Sequence, residues 1–191
     1  AKNAKDWPYL QQYLDLALES AADASFEQYE QMVARKTAAL IECSAALGAW
    51  AARVSDDHIA AAGRFGHELG VAFQFQDDLL GVWGDPRVTG KPARDDVRSR
   101  KKALPMMLAL QLASSDARDE LLDVLRAPDA PDEPTVERVV ALMERIGVRD
   151  RAAEMVEERF MRLDRAVDEA LPAGRDSAIR ELCARLRVRD Y

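Results

Sequence analysis

Along most of the chain the apolar positions return every three or four residues, and nowhere do β-branched residues alternate strictly with polar ones. That spacing lines them up on one face of a helix. Ala, Leu, Glu and Arg, all good helix formers, dominate between the breaks. A first helix is predicted from about Tyr9 to Ala22. Ser25, with Gln28 three residues on, has the pattern of a capping box and opens a second, running to about Ala52. Ser55-Asp56-Asp57 starts a third, which continues to about Trp83. The glycines and prolines of residues 84–92 read as a loop. A helix over 96–113 should be kinked by Pro105. Later helices are predicted over 116–126, 134–146, 149–171 and 176–188, with Gly147 and Pro172-Ala173-Gly174 as stops. No repeat, low-complexity tract or linker interrupts the pattern, so residues 1–191 are expected to form a single all-α domain, a helical bundle.

Composition narrows the function. At 48 % hydrophobic and 32 % charged residues, 191 residues can bury one sizeable core, and disorder is excluded. Asp and Glu (34) outnumber Lys and Arg (27), and the net charge of −7 argues against nonspecific binding to nucleic acid or to an anionic membrane face. No apolar run reaches the roughly 18 residues of a spanning helix, so no membrane span is expected. Cys43 and Cys183 stand far apart without metal-ligand spacing. That usage fits a reducing compartment, and the cytoplasm is the expected location.

Two segments hold unusual chemistry. Gly63, Gly66, Gly70, Gln74, Asp77 and Gly81 recur at three- and four-residue intervals and so share one side of a helix. Each glycine inside a helix costs roughly 1 kcal/mol against alanine, so a stripe of them points to close backbone packing or to deliberate empty volume. Asp77 and Asp78 are the odd members. Two carboxylates in an apolar segment are costly if buried unpaired. They form either a solvated helix end or a place for hydrated Mg²⁺, which takes carboxylate oxygens and keeps positions for substrate phosphates. Downstream, Lys91, Lys101 and Lys102 are interleaved with Arg94, Arg98 and Arg100, a cationic cluster in an acidic chain. Cations facing a carboxylate-held metal make a diphosphate clamp. The arginines alone fit a solvated face balanced by Asp95 and Asp96. Lys36, mid-helix among Met32, Val33, Leu40 and Ile41, could simply snorkel to solvent.

The run Phe73-Gln74-Phe75-Gln76-Asp77-Asp78-Leu79-Leu80-Gly81-Val82-Trp83-Gly84-Asp85-Pro86, continued by Thr89-Gly90-Lys91 to Asp96 and Lys101, resembles the second aspartate-rich region of polyprenyl (isoprenyl) diphosphate synthases. Lys36-Thr37-Ala38-Ala39-Leu40 is similar to the family's Lys-Thr element, and Gln12-Tyr13-Leu14-Asp15-Leu16 to its Gln-x-x-Asp element. The resemblance covers about residues 10–113 and is closest in flavour to actinobacterial geranylgeranyl diphosphate synthases. It implies the all-α isoprenoid-synthase fold, Mg²⁺ as cofactor, an allylic diphosphate and isopentenyl diphosphate as substrates, and a homodimer. Position by position, it implies that Asp77 ligates Mg²⁺ on the allylic diphosphate, with Asp78 in or near that shell. Lys36 and Lys91 would hold the diphosphate, and Lys101 would add charge close by. Thr37 and Gln74 would face the carbon chain and stabilise the allylic cation through their oxygens. Gln12 and Asp15 would line the pocket.

There are two departures. The family usually has a third acid four positions after the first Asp, where this chain has Gly81. The family's first aspartate-rich motif is not among these residues, since Asp56-Asp57-His58 lacks the following acid and sits at a predicted helix start. The chain therefore looks like the C-terminal half to two-thirds of a synthase, without the N-terminal helices and inactive by itself. The leading expectation is a trans-prenyltransferase. A non-catalytic partner subunit and a terpene cyclase on the same fold remain as alternatives.

Overall fold

The computed structural model describes residues 25–90, 92–171 and 177–188. Among them the regular structure is helical and no strand occurs. In chain order the helices are α1 (Phe26–Val33), a π-helical turn (Ala34–Ala38), α2 (Ala39–Ala51), α3 (Asp56–Trp83), α4 (Pro86–Thr89), α5 (Asp95–Arg98), α6 (Leu104–Leu112), α7 (Ser115–Arg126), α8 (Glu133–Arg145), α9 (Val148–Ala170) and α10 (Ser177–Arg187). The helix expected over 9–22 lies outside the described residues. Two compact units are present. One contains residues 25–32 and 77–153, the other residues 33–76 and 154–188.

The first unit begins at the expected capping box. The Gln28 amide donates to Ser25 Oγ at 3.2 Å, and the Ser25 amide to Gln28 Oε1 at 2.7 Å. Its centre is α6, where seven consecutive residues from Leu104 to Leu110 are buried. A helix apolar all round requires such a place. Leu79, Leu80 and Val82 from the end of α3, Leu121 and Leu122 from α7, and Val136, Val139, Val140 and Met143 from α8 complete the core.

Two sequence expectations change here. The loop over 84–92 contains α4, capped by the Asp85 carboxylate on the Arg87 amide and ended by Gly90 at φ 68°. The helix expected over 96–113 is two helices, α5 and α6, with a turn between them. Pro105 sits in the first turn of α6, where no intrahelical partner awaits its missing N–H, so it starts a helix rather than kinking one. Arg94 and Arg100, on either side of α5, adopt left-handed backbone at φ 63° and 54°. Each costs on the order of 1 kcal/mol. Arg98 offsets this strain: its guanidinium grips both oxygens of Glu133 at 2.8 and 2.9 Å and also donates to the Ala93 carbonyl. Arg98 is thus a bracket between α5 and α8, not the purely solvated charge the sequence suggested.

In the second unit, Ala61, Val71, Ala72 and Phe75 of α3 form the core with Val33, Ala38, Val156, Phe160, Leu163 and Val167. Gly66 and Gly70 serve close packing. A Cβ on Gly70 would lie 2.5 Å from Ala38 Cα, and one on Gly66 would lie 2.6 Å from the Ile41 carbonyl oxygen. α2 contrasts with the rest: it is strongly apolar, yet none of its residues is buried.

Candidate functional site

Asp78 is the most constrained carboxylate of the first unit. Only 1 % of its surface is exposed, and three donors converge on it. The Tyr29 hydroxyl reaches Oδ2 at 2.7 Å, the Leu104 amide reaches Oδ2 at 3.0 Å, and Lys101 Nζ reaches Oδ1 at 2.9 Å. The Leu104 amide is one of the first-turn donors of α6 that no helical carbonyl can satisfy, so Asp78 also terminates that helix. Lys101 Nζ in turn lies 3.2 Å from Asp96 Oδ2. Asp78 therefore joins α1, the end of α3 and the start of α6, which accounts for a carboxylate in an apolar helix without any metal. Its neighbour Asp77 is only half-buried.

Gly81 belongs to the same arrangement. A Cβ there would meet the Asp96 carboxylate at 2.4 Å. The carboxylate of Asp96 thus lies against the bare backbone of Gly81, on the turn of α3 that follows Asp77. Asp96 is 8 % exposed. Burial pushes its carboxyl above the usual value, Lys101 opposes that rise, and Asp78 and Asp77 add to it. For Lys101, burial works against the charge, but Asp78 and Asp96 overcome it and raise the ammonium above the ordinary lysine value.

The signs set a pH dependence. With its pKa raised above 3.8, Asp96 contributes stability that is fully present below that pH and lost as pH rises through the raised value. Lys101, raised above 10.5, contributes stability that is fully present at neutral pH and lost only on the alkaline side. Lys101→Met should therefore cost less at low pH, where Asp96 is neutral, and more once pH has risen through the raised value of Asp96. Breaking one partner of a buried pair costs roughly 3–5 kcal/mol; the 38 % exposure of the Lys101 side chain reduces this to about 2. Urea unfolding of both proteins across that pH range measures the gap, and a pH-independent gap would refute this assignment.

The second unit contains the Lys-Thr pair. Lys36 and Thr37 fall within the π-helical turn Ala34–Ala38, where the backbone is wound one residue wider than an α-helix. The Thr37 hydroxyl donates to Gln74 Oε1 at 2.8 Å, so two side chains 37 residues apart present their oxygens together. Lys36 is exposed. The turn is seated by Ala38 against Gly70, one helical turn before Gln74. Lys91, Gln12 and Asp15 lie outside the described residues.

Tyr29, the Leu104 amide and the seat of Asp96 on Gly81 went unnoticed in the sequence. One signal was available for Tyr29. It falls in register with Phe26 and Val33 on the apolar face of α1, and a phenol buried there needs an acceptor. No signal marked the Leu104 amide. Among the described residues no group of three or more His, Cys, Asp or Glu is arranged to hold a metal ion unaided, and no helix is long and apolar enough to cross a membrane. Cys43 and Cys183 are both free thiols.

Comparisons with known proteins show the family. The chain is 42 % identical over 174 residues to the geranylgeranyl diphosphate synthase of Mycobacterium tuberculosis, a match covering 91 % of this chain and 49 % of that protein. It is 37 % identical over 122 residues to the geranylgeranyl diphosphate synthase of Saccharolobus solfataricus, covering 64 % of this chain and 37 % of that protein. Among solved structures, geranylgeranyl pyrophosphate synthase from Corynebacterium glutamicum, complexed with isoprenyl diphosphate and magnesium, superposes with a TM-score of 0.84 at 31 % identity. That superposition covers 97 % of this chain and 53 % of the other. A polyprenyl synthetase from Streptomyces coelicolor gives 0.81 at 30 % identity, over 96 % of this chain and 55 % of that one. The chain thus spans about half the length of such relatives. The polyprenyl synthetase family model matches residues 9–143 and takes in both the Lys36-Thr37 turn and the Asp77-Asp78 pair; on that match and on the shared all-helical fold, the chain belongs to the polyprenyl synthetase family.

Proposed function

We propose that this chain supplies the diphosphate-ionising side of a Mg²⁺-dependent trans-prenyltransferase that joins an allylic diphosphate to isopentenyl diphosphate. The observation that carries this reading is the split between the two aspartates. Asp78 is buried and held by Tyr29, Lys101 and the Leu104 amide, while Asp77, its neighbour in α3, is half-buried and keeps part of its surface open to solvent. The donor chemistry suits Mg²⁺, because the ion favours one or two carboxylates with phosphate and water oxygens filling its shell, and Asp77 is such a carboxylate. Asp77 would hold it, with Asp96 contributing charge nearby. When bound, the ion supplies neutralisation of the departing diphosphate.

The chain's own residues do the rest. Lys36 and Lys91 bind the diphosphate. Lys101 is engaged by Asp78 and Asp96, so it sets the shape and charge of the carboxylate cluster rather than serving as a free phosphate ligand. As the allylic carbon–oxygen bond breaks, its electron pair leaves with the diphosphate. The Thr37 and Gln74 oxygens, held together by their hydrogen bond, stabilise the positive charge on the carbon chain. The alkene of isopentenyl diphosphate then forms the new carbon–carbon bond, and a proton is lost.

Calorimetric titration of the 191-residue chain with inorganic diphosphate tests the reading. Binding should be weak and should require Mg²⁺, because Asp77 and the diphosphate are both anionic and a cation held by Asp77 would offset their repulsion. Equal affinity in EDTA would count against the metal role of Asp77.

A further inference from the structure

We infer that Tyr29 is a positioning residue for Asp77, acting through Asp78. This inference rests on the function proposed above and adds a residue to it. Tyr29 is fully buried, and its hydroxyl lies 2.7 Å from Asp78 Oδ2, closer than either Lys101 Nζ or the Leu104 amide comes to that carboxylate. The Leu104 amide shares the same oxygen, and Lys101 holds the other. These donors come from three directions: α1, the start of α6, and the turn after α5. A carboxylate held from three sides has one orientation left. Consecutive residues on a helix point about 100° apart, so fixing Asp78 also fixes the direction in which Asp77 projects. The Gly81 turn locks the same segment from below, because Asp96 lies where any side chain at 81 would go. The pair therefore divides its work: Asp78 is the anchor, and Asp77 is aimed by it. Of the two side chains in the anchor, Tyr29 is the uncharged one, so removing its hydroxyl leaves the local charge unchanged and isolates orientation from electrostatics.

Mn²⁺, as a paramagnetic stand-in for Mg²⁺, gives a readout that does not depend on turnover. With inorganic diphosphate present, electron paramagnetic resonance measures free Mn²⁺ during titration of the chain, at a temperature where circular dichroism shows each variant folded. Groups that orient a metal ligand typically contribute about 10- to 100-fold to affinity. Tyr29→Phe should accordingly raise the Mn²⁺ half-saturation about tenfold or more. Lys101→Met is the second arm, and its sign discriminates. Removing a cation beside a cation site should tighten Mn²⁺ binding if only charge matters, whereas loss of an anchor should weaken it. Weaker binding by both variants supports the inference. Unchanged half-saturation in folded Tyr29→Phe, or tighter binding by Lys101→Met, overturns it. If Tyr29→Phe does not fold, the sign of the Lys101→Met effect decides. No diphosphate-dependent Mn²⁺ binding by the unaltered chain overturns the proposed function, and this inference with it, whereas normal binding by the unaltered chain and by both variants overturns the inference alone.

Discussion

Asp77→Ala should lower kcat for prenyl transfer by about 10²-fold or more, with KM for the allylic diphosphate changed far less. The measurement calls for this chain completed by the N-terminal half of a relative such as the Mycobacterium tuberculosis synthase, whose length it spans only by half. In the bound substrate the diphosphate charge is already satisfied by cations. On the proposed function, further negative charge develops on the leaving oxygen as the carbon–oxygen bond breaks, and a contact made through Asp77 would strengthen at that moment. An interaction that grows toward the transition state appears in kcat, not in binding. The control must be a charge without a structural task. Arg98, attractive from sequence, is unsuitable because it brackets α5 to Glu133. Arg149, exposed at the start of α9, is suitable, and Arg149→Ala should leave turnover within a factor of about two. Equal losses from both substitutions would show that the site is misplaced.

The 191-residue chain tested by itself should incorporate no radiolabelled isopentenyl diphosphate, and co-expression with that N-terminal half should restore incorporation. Ionisation requires the charge leaving with the diphosphate to be offset from more than one side. On the proposed reading Asp77 supplies one side, and no group of three or more ligating side chains occurs among the described residues to supply another. Without a positioned second substrate, even a slowly formed cation would meet water before an alkene, and the advantage of proximity would be lost. Packing points the same way. α2 leaves Leu40, Leu47 and Trp50 at 55, 58 and 67 % exposure, so the chain alone should self-associate, which light scattering would register. Robust turnover by the chain alone would overturn the half-site reading and require a metal centre elsewhere.

The contrast between Asp77 and Asp78 shows how far sequence reasoning reaches. Both were candidates for metal binding because two carboxylates in an apolar helix need partners. For Asp78 the partners are a phenol, an ammonium and a backbone amide. Tyr29 lies 49 residues before Asp78 and Lys101 lies 23 after it. Nothing in local pattern links positions so far apart. The glycine stripe divided in a similar way. Gly66 and Gly70 turned out to be contact points for the preceding helix, while Gly81 makes room for a carboxylate from another helix.

The sequence alone determined what depends on neighbours within a few turns. Among the described residues outside 84–113, the 3.6-residue apolar period placed helix ends within a few residues of those observed, and the Ser25–Gln28 box formed because both its hydrogen bonds close over three residues. The run from Phe73 to Pro86 pointed to the family for the same reason, since its chemistry is contiguous. What only the tertiary structure decided depends on energies that no local window contains. Pro105 begins a helix instead of bending one because Asp78, from another helix, is there to accept the Leu104 amide beside it. The widened turn at Lys36-Thr37 exists where Ala38 meets the bare Gly70 backbone, and Thr37 finds Gln74 across that contact. Which of two adjacent aspartates is buried was settled by where a phenol, an ammonium and an amide converge, because burying a carboxylate without those three donors would cost more than the helix could supply.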